Sequence, residues 1–229
     1  MARIRRRRSR VRSRRIREKN NKKDDILVTA TGLFLEKGYS GTSTNDICLA
    51  AKINRPTLYW YFKSKELLFF SCHMKSIQYL LMPYLKEAAS IEDPEERLKF
   101  MIPQFTRIIC QNPELKVLIH DTFTIKDEYL QKVRKIWKKH FLLLKDSISQ
   151  LQSQGKVRTD FNPSWAALLL LGMMTWMTFW FDHSRKERIE ELSHQALDFA
   201  MQGLWAENPP GPQRKGSPSK RRKAGAKRG

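Results

Sequence analysis

The side chains best suited to chemistry in this chain are hydrogen-bonding and basic groups gathered between residues 42 and 65. Hydroxyl, guanidinium and ammonium groups all donate hydrogen bonds to phosphate oxygens or to base edges. The set comprises Thr42, Thr44, Arg55, Thr57, Tyr59, Tyr61, Lys63 and Lys65. Arg55 is expected to specify sequence, because a guanidinium pairs bidentately with O6 and N7 of guanine. The cluster therefore predicts a DNA contact surface.

Three short helices are predicted to position this cluster. Apolar residues recur at helical spacing over 26–34, and Gly38 follows as a stop signal. Ser43 or Thr44 offers an N-cap for a second helix, and Asn54 offers one for a third. A short helix, a tight turn and a second helix rich in hydrogen-bonding side chains are typical of the helix-turn-helix, whose second helix enters a major groove.

This segment resembles the N-terminal domain of the tetracycline-repressor (TetR) family of bacterial regulators. The family usually has Gly at the turn position that Lys52 occupies here, so the turn either tolerates Lys or is strained. The resemblance implies that the third helix lies in the major groove, with Leu58 and Phe62 as core. The matching residues are Ala30, Leu33, Phe34, Gly38, Tyr39, Thr42, Ile47, Ala50, Ala51, Thr57, Leu58, Tyr59, Phe62, Lys63, Ser64, Lys65, Glu66 and Leu67.

The rest of the chain is predicted to be helical, which makes the fold all-α: a helix-turn-helix head and a helical body for ligand binding and dimerisation. The two last helices carry more apolar surface than a monomer needs, and this predicts a homodimer through a four-helix bundle. The resemblance implies the same dimer, on a palindromic double-stranded operator. The predicted interface comprises Trp165, Leu169, Ile189, Leu192, Ala196, Phe199, Ala200 and Gly203.

The resemblance also implies a pocket for a small hydrophobic effector within the body. No cofactor and no metal are expected. An aromatic and methionine stripe at helical spacing is also what a plain core contains, so both interpretations stay open. The segment 172–181 is similar to acyl-CoA-responsive members of the family. The candidate lining residues are His120, Trp137, Phe141, Met173, Trp176, Met177 and Trp180, with Phe179 and Asp121 beside them.

The charge of +21 is concentrated in two tails. Residues 1–23 carry ten Arg and three Lys against one Glu, and residues 207–229 carry eight basic residues against one Glu. Dense like charge with few apolar residues predicts disorder, so we divide the chain into a disordered arm (1–23), a DNA-binding head (24–68), a body (69–206) and a disordered tail (207–229). Each tail either neutralises DNA phosphates or merely aids solubility.

Other classes of protein find less support in the sequence. No nucleophile motif or Gly-rich phosphate loop accompanies His120 and Asp121, so an enzyme is not expected. Three widely spaced cysteines predict neither a disulfide framework nor a zinc site. The uncharged run 165–181 reads as a buried interface helix or, at the lower limit of length, a membrane span.

The predicted function is a sequence-specific DNA-binding regulator, a repressor released by a small hydrophobic effector, in the bacterial cytoplasm and associated with the nucleoid. It is expected to bind no membrane. The alternative is a largely non-specific, nucleoid-type DNA binder that works through its basic tails and senses no ligand. These two functions predict different ratios of affinity for specific and non-specific DNA.

Overall fold

The computed structural model of the chain describes residues 2–121 and 127–205, with side chains for residues 20–121 and 128–205. This part of the chain folds into helices, and its one β-type pairing is an isolated bridge between Val157 and Trp205. The helices are α1 (Ala2–Gly41), α2 (Thr44–Ala50), α3 (Arg55–Tyr61), α4 (Lys65–Ser76), α5 (Met82–Ser90), α6 (Pro94–Gln111), α7 (Leu115–His120), α8 (Asp127–Ser153), α9 (Pro163–Trp180) and α10 (Ile189–Leu204). The predicted all-α architecture is confirmed for the described residues.

The head is built from the C-terminal part of α1 with α2 and α3. Its core is largely apolar and includes both Leu58 and Phe62, as expected from the resemblance. Phe34 of α1 packs edge-on against Phe69 of α4 with ring centroids 5.1 Å apart, which ties the head to the first helix of the body. Aromatic pairs of this kind add to the free energy of burial, so α4 is held firmly against α1.

The basic segment that precedes the head differs from its prediction in backbone conformation. The sequence predicts disorder over residues 1–23, whereas α1 is helical from Ala2. Arg and Lys are good helix formers, and no Gly or Pro interrupts residues 2–23, so nothing in this stretch terminates a helix that starts in the head. The prediction of disorder rested on dense like charge and on the small number of apolar residues. The C-terminal tail, 207–229, lies outside the described residues.

The connection from head to body is a helix with a π-helical turn rather than a simple kink. Ser64 caps α4, its hydroxyl accepting a hydrogen bond from the backbone N–H of Leu67 at 3.0 Å. A π-turn, Ile77–Leu81, then joins α4 to α5, and the N–H of Met82 bonds to the carbonyl of Ile77. Pro83 has no N–H and cannot continue the regular ladder, so the extra residue of the π-turn absorbs the irregularity.

The body packs α6 at its centre, in contact with α8, α9 and α10. One face of α10 is buried against α6 and includes Ile189, Ala196 and Ala200. The predicted dimer interface is therefore wrong for these three residues, because they form the core of the protomer. The helical period identified an apolar stripe and small residues, but α6 of the same chain, rather than a second copy, occupies the space beside them.

The opposite faces of α9 and α10 remain apolar and exposed. Leu169 is 74% exposed and Trp180 76% exposed, although both are large apolar side chains. Together with Leu192 and Gly203, these positions form what we call the outer apolar face. Its other members are Trp165, Leu168, Trp176, Phe179 and Phe199. No helix of the described residues is long and apolar enough to cross a membrane, α9 included.

Candidate nucleic-acid interface and effector pocket

The helix-turn-helix is fixed by side-chain caps on both of its helices. The hydroxyl of Ser43 accepts from the N–H of Asp46, and the Asp46 carboxylate accepts from the N–H of Ser43, forming a capping box at the start of α2. Asn54 caps α3 by accepting from the N–H and the hydroxyl of Thr57. Caps of this type each contribute about 1 kcal/mol, so the first turns of α2 and α3 have a well-defined orientation.

Arg55 lies where the sequence predicts, exposed at the first position of α3. Its Nε donates a hydrogen bond to Oδ1 of Asn45 at 2.7 Å, which joins the first turns of α3 and α2. Asn45 is also exposed, and sequence reasoning did not identify it. The only available signal was its place in the first turn of α2, directly after Thr44.

The aromatic residues of α3 divide between the surface and the core. Tyr59 is exposed, as the prediction requires of a DNA contact. Tyr61 is half-buried and packs against Trp60, with the two rings 4.7 Å apart in a T-shaped arrangement. Trp60 is 57% exposed and was not among the predicted residues. A large aromatic exposed on the recognition helix offers apolar surface to DNA, so we add Trp60 to the candidate interface.

Thr42 does not belong to the candidate interface. Its side chain is 1% exposed, and its hydroxyl donates to the carbonyls of Gly38 and Leu33 at 2.8 and 3.1 Å. The hydroxyl therefore satisfies backbone carbonyls at the end of α1, where the chain kinks at Gly38 with a φ of +70°. Thr44, half-buried in the first turn of α2, remains at the edge of the surface.

Two lysines flank the exit from α3. Lys63 is exposed and Lys65 is half-buried at the first position of α4. The Lys65 ammonium lies 4.3 Å from the centroid of the Tyr39 ring, and partial burial lowers its pKa. The aromatic face and the N-terminus of α4 hold this cation where helix amides also favour an anion, as a phosphate contact requires.

Lys52, in the turn between α2 and α3, has a φ of +50°, which is the left-handed region that favours glycine. We expect Lys52→Gly to raise the free energy of unfolding by about 1 kcal/mol and the Tm by about 2–4 °C, because it relieves this backbone strain. Lys52→Ala removes the same charge but keeps the strained backbone. An equal rise in Tm for both variants would show that removal of the charge, rather than relief of the backbone strain, is responsible.

The predicted effector residues do not line one pocket. Phe141 and Met173 pack half-buried against the core, and Trp176 belongs to the outer apolar face. Met177 and Trp180 line an open cleft of about 430 Å³ between α9 and α10. The stripe on α9 thus points in several directions, because a helix that is apolar all round has no single inner face.

His120 connects α7 to α9 instead of facing a cavity. Its Nε2 lies 2.9 Å from Oγ1 of Thr178, whose own hydroxyl proton goes to the carbonyl of Thr175. Nε2 is therefore the donor. The His120 ring packs 3.8 Å from the Phe179 ring, and burial lowers the pKa of the imidazole. Next along the chain, the Asp121 carboxylate accepts from the N–H of Tyr39 at 2.8 Å, so this region also contacts the head.

The interior of the body contains a small cavity of about 20 Å³ between the π-turn, α6, α7 and α8. Of the predicted residues only Trp137 lines it. Its other walls are mostly aliphatic, with His73 as a buried polar group. The remaining lining residues are Ser76, Ile77, Leu80, Leu81, Phe105, Ile108, Ile109, Leu115 and Ile119.

A buried polar pair lies beside this cavity. Nε2 of His140 is 2.9 Å from the Tyr84 hydroxyl, and that hydroxyl also donates to the carbonyl of Met101. The His140 ring contacts the rings of Phe105 and Trp137, both of which line the cavity. Nδ1 of His140 has no hydrogen-bond partner among the described residues. Sequence reasoning missed His140, although a histidine within the apolar stripe of α8 was a usable signal.

Burial lowers the pKa of His73 from 6.5 to about 4 and that of His140 from 6.5 to about 3. Both imidazoles are therefore neutral in the folded protein at neutral pH, whereas the unfolded chain takes up protons below pH 6.5. Stability must fall as the pH drops from about 6.5 towards these lowered values. As the pH falls from 7 to 5, each of these two buried histidines should lower the free energy of unfolding by about 2 kcal/mol.

Urea unfolding at pH 7, 6 and 5 measures this dependence. We expect His140→Phe to remove about half of the histidine-dependent loss, because one of the two buried groups can no longer titrate. His194→Phe replaces an exposed histidine and should keep the dependence of the wild-type protein. Equal pH profiles for His140→Phe and the wild-type protein would contradict the assignment.

Comparison with known proteins agrees with this architecture. Residues 26–72 match the family described as bacterial regulatory proteins, tetR family. Residues 92–204 match the tetracyclin repressor-like C-terminal domain. The two matches fall on the head and on the body, and together they span more than half of the chain.

Individual relatives support the same assignment. The probable acrEF/envCD operon repressor of Escherichia coli K12 is 31% identical over 105 residues, 43% of this chain and 47% of that protein. The match thus spans about half the length of the curated relative.

Solved structures match over most of their length. AibR in complex with isovaleryl coenzyme A and operator DNA is 26% identical, with a TM-score of 0.71 over 80% of this chain and 98% of that one. PfmR from Thermus thermophilus, a TetR family transcriptional regulator, is 26% identical with a TM-score of 0.70 over 79% and 99%. The chain belongs to the tetracycline-repressor (TetR) family of bacterial regulatory proteins.

Proposed function

We propose that this protein is a sequence-specific DNA-binding transcriptional repressor of the bacterial nucleoid, active as a homodimer and released by a small hydrophobic effector. The observation that carries the proposal is the outward face of α3, where Arg55 and Tyr59 stand exposed on a capped helix-turn-helix. With Lys63 and Lys65 they combine a base-reading guanidinium with phosphate donors. Thr57 lies half-buried beside them, and its hydroxyl donates to Asn54. The name of the E. coli relative, an operon repressor, supports repression.

Dimer formation is proposed through the outer apolar face. Exposed leucines and aromatics on two neighbouring helices are costly in water and are covered when a second copy packs against them. Gly172 and Gly203 lie in open space, and nothing within 4 Å would obstruct a neighbouring helix there. A two-fold protein would place two copies of α3 on a palindromic operator, with half-sites about one helical turn or more apart.

The effector is proposed to bind in the interior of the body, around the cavity lined by Trp137 and His73. A space of 20 Å³ holds no organic molecule, so binding requires the surrounding helices to move apart. A ligand that binds only the expanded body shifts the population away from the DNA-binding geometry. The complex of AibR with isovaleryl coenzyme A favours an acyl-CoA as the effector.

Fluorescence anisotropy at physiological salt tests the main proposal. The full chain is offered DNA from upstream of its own gene and a shuffled duplex of the same composition. Strong preference for the upstream DNA is expected of a repressor. Equal affinity for both duplexes would instead favour a non-specific binder that acts through its basic tails.

Arg55→Ala should weaken binding to the preferred sequence by about 1–3 kcal/mol, or 5- to 150-fold, and should affect shuffled DNA little. The reason is that the variant removes a base contact rather than a phosphate contact. Lys63→Ala is the matched control, because it removes one exposed positive charge and should weaken both complexes by a similar factor. Equal losses for Arg55→Ala on both DNAs would reassign Arg55 to the phosphate backbone.

The effector proposal is tested separately. Isovaleryl-CoA and a long-chain acyl-CoA, each at micromolar concentration, are added to the preformed protein–DNA complex, with free CoA as the control. Release by an acyl-CoA but not by CoA is expected. Retention of DNA in every case would remove the acyl-CoA assignment and leave the DNA-binding proposal intact.

A further inference from the structure

Arg55, the proposed base-reading residue, is hydrogen-bonded to Asn45. Nε of Arg55 donates to Oδ1 of Asn45 at 2.7 Å, across the turn from the start of α3 to the start of α2. Within the described residues, no other hydrogen bond or ion pair involves the Arg55 guanidinium. Because Arg55 is an exposed residue, both terminal nitrogens remain available to a ligand.

Asn45 and Arg55 both lie in backbone that is held in place by a helix cap. Asn45 follows Ser43 by two residues within the capping box that Ser43 forms with Asp46. Arg55 directly follows Asn54, the capping residue of α3, and precedes Pro56, whose φ is fixed by its ring. The Asn45–Arg55 bond therefore joins two positions whose separation is already defined, and it adds a constraint on the arginine side chain itself.

The chemistry of the guanidinium makes this constraint useful. A free arginine side chain loses rotamer entropy when it is immobilised on a partner. Engaging Nε fixes the plane of the guanidinium and leaves the two terminal nitrogens as a parallel pair of donors. Such a pair matches O6 and N7 of guanine, the acceptors that this base presents in the major groove.

We propose that Asn45 is a positioning residue that orients Arg55 for bidentate recognition of a guanine in each operator half-site. The inference rests on the proposed function, since it deepens how the same surface reads DNA. Asn45 is not itself the reader of a base in this arrangement. Its carbonyl oxygen accepts from Arg55 in this arrangement, whereas direct recognition of adenine would direct that oxygen to the adenine amino group.

The test begins with operator sequences selected by the full-length wild-type chain from random duplex DNA. Affinities of the wild-type protein, Asn45→Ala, Arg55→Ala and the double variant are then measured on the selected operator. The same set is measured on the operator carrying 7-deazaguanine, which lacks the N7 acceptor, and on random DNA. Circular dichroism confirms that each variant keeps its helical fold.

We expect Asn45→Ala to lose about fivefold in affinity for the operator, the effect of one hydrogen bond, and little on random DNA. On the deaza operator this loss should shrink, because the contact that Asn45 positions is already broken. The double variant should match Arg55→Ala, since Asn45 acts through Arg55. Asn45→Asp keeps an acceptor for Nε and should keep the preference for guanine, while its added negative charge weakens binding to every DNA.

Three results would overturn the proposal: no loss with Asn45→Ala, an equal loss on operator and random DNA, or a further loss when Asn45→Ala is added to Arg55→Ala. The last result would mean that Asn45 contacts DNA directly. Failure of the proposed function is a different outcome. In that case the wild-type chain would select no common sequence from the random pool.

Discussion

Replacing Leu169 with glutamate is expected to convert the protein to a monomer and to lower operator affinity by about 10²–10⁴-fold, the range by which linking two binding sites exceeds one. Leu169 is 74% exposed in the protomer, so the substitution leaves the protomer core untouched. In the proposed dimer the same position is buried, and a carboxylate there would lose its hydration without gaining a partner. The substitution is therefore expected to weaken dimerisation and to leave the folding of the protomer unchanged.

Sedimentation measures the mass of the variant, and anisotropy on the operator measures its affinity. Gln131→Glu is the matched control, because it adds one negative charge at an exposed position on α8, a helix that contributes no residue to the outer apolar face. The control should remain dimeric and bind as the wild-type protein does. A dimeric Leu169→Glu protein with normal affinity would show that the interface lies elsewhere. A monomeric variant with unchanged affinity would show that one head suffices.

The helix-turn-helix could be predicted from sequence because its determinants are local. Ser43 and Asn54 cap helices at positions that the sequence offered, since a cap and its helix lie within four residues of each other. At Lys52 the family resemblance left a tolerated or a strained turn open, and the structure gives this residue a left-handed φ of +50°. The burial of Thr42 was not predicted, because its partners are carbonyls at the end of the preceding helix.

The body was predicted less well because its important contacts are distant in sequence. The apolar stripe of α10 was correct as a pattern, but the pattern does not say whether α6 or a second chain covers it. Three of the eight proposed interface residues thus proved to be core. The predicted effector residues likewise lie on several surfaces of the body rather than around one cavity, because a pocket depends on how helices distant in sequence converge. His73 and His140 define the polar character of that interior, and their burial depends on helices that lie far apart in the chain.

The basic arm is expected to contribute strongly to DNA affinity because of its positive charge. Residues 1–20 include eleven basic residues and one acidic residue, directly before the helix-turn-helix. If about six of these cations contact phosphates, deleting residues 1–20 should lower the slope of log K against log salt by about 5. Affinity at physiological salt should fall on the order of 10³-fold, on operator and random DNA alike, because phosphate contacts carry no sequence information.

An Arg-to-Lys variant of the arm separates charge from geometry. Replacing all ten arginines of residues 1–20 with lysine keeps the charge, so the salt slope should stay at its wild-type value. Preference for A-tracts beside the operator should fall, however, if the arm lies in a narrow minor groove, where arginine is favoured. An unchanged salt slope after deletion would show that the arm does not bind DNA. Retained A-tract preference in the lysine variant would place the arm on the phosphate backbone rather than in the groove.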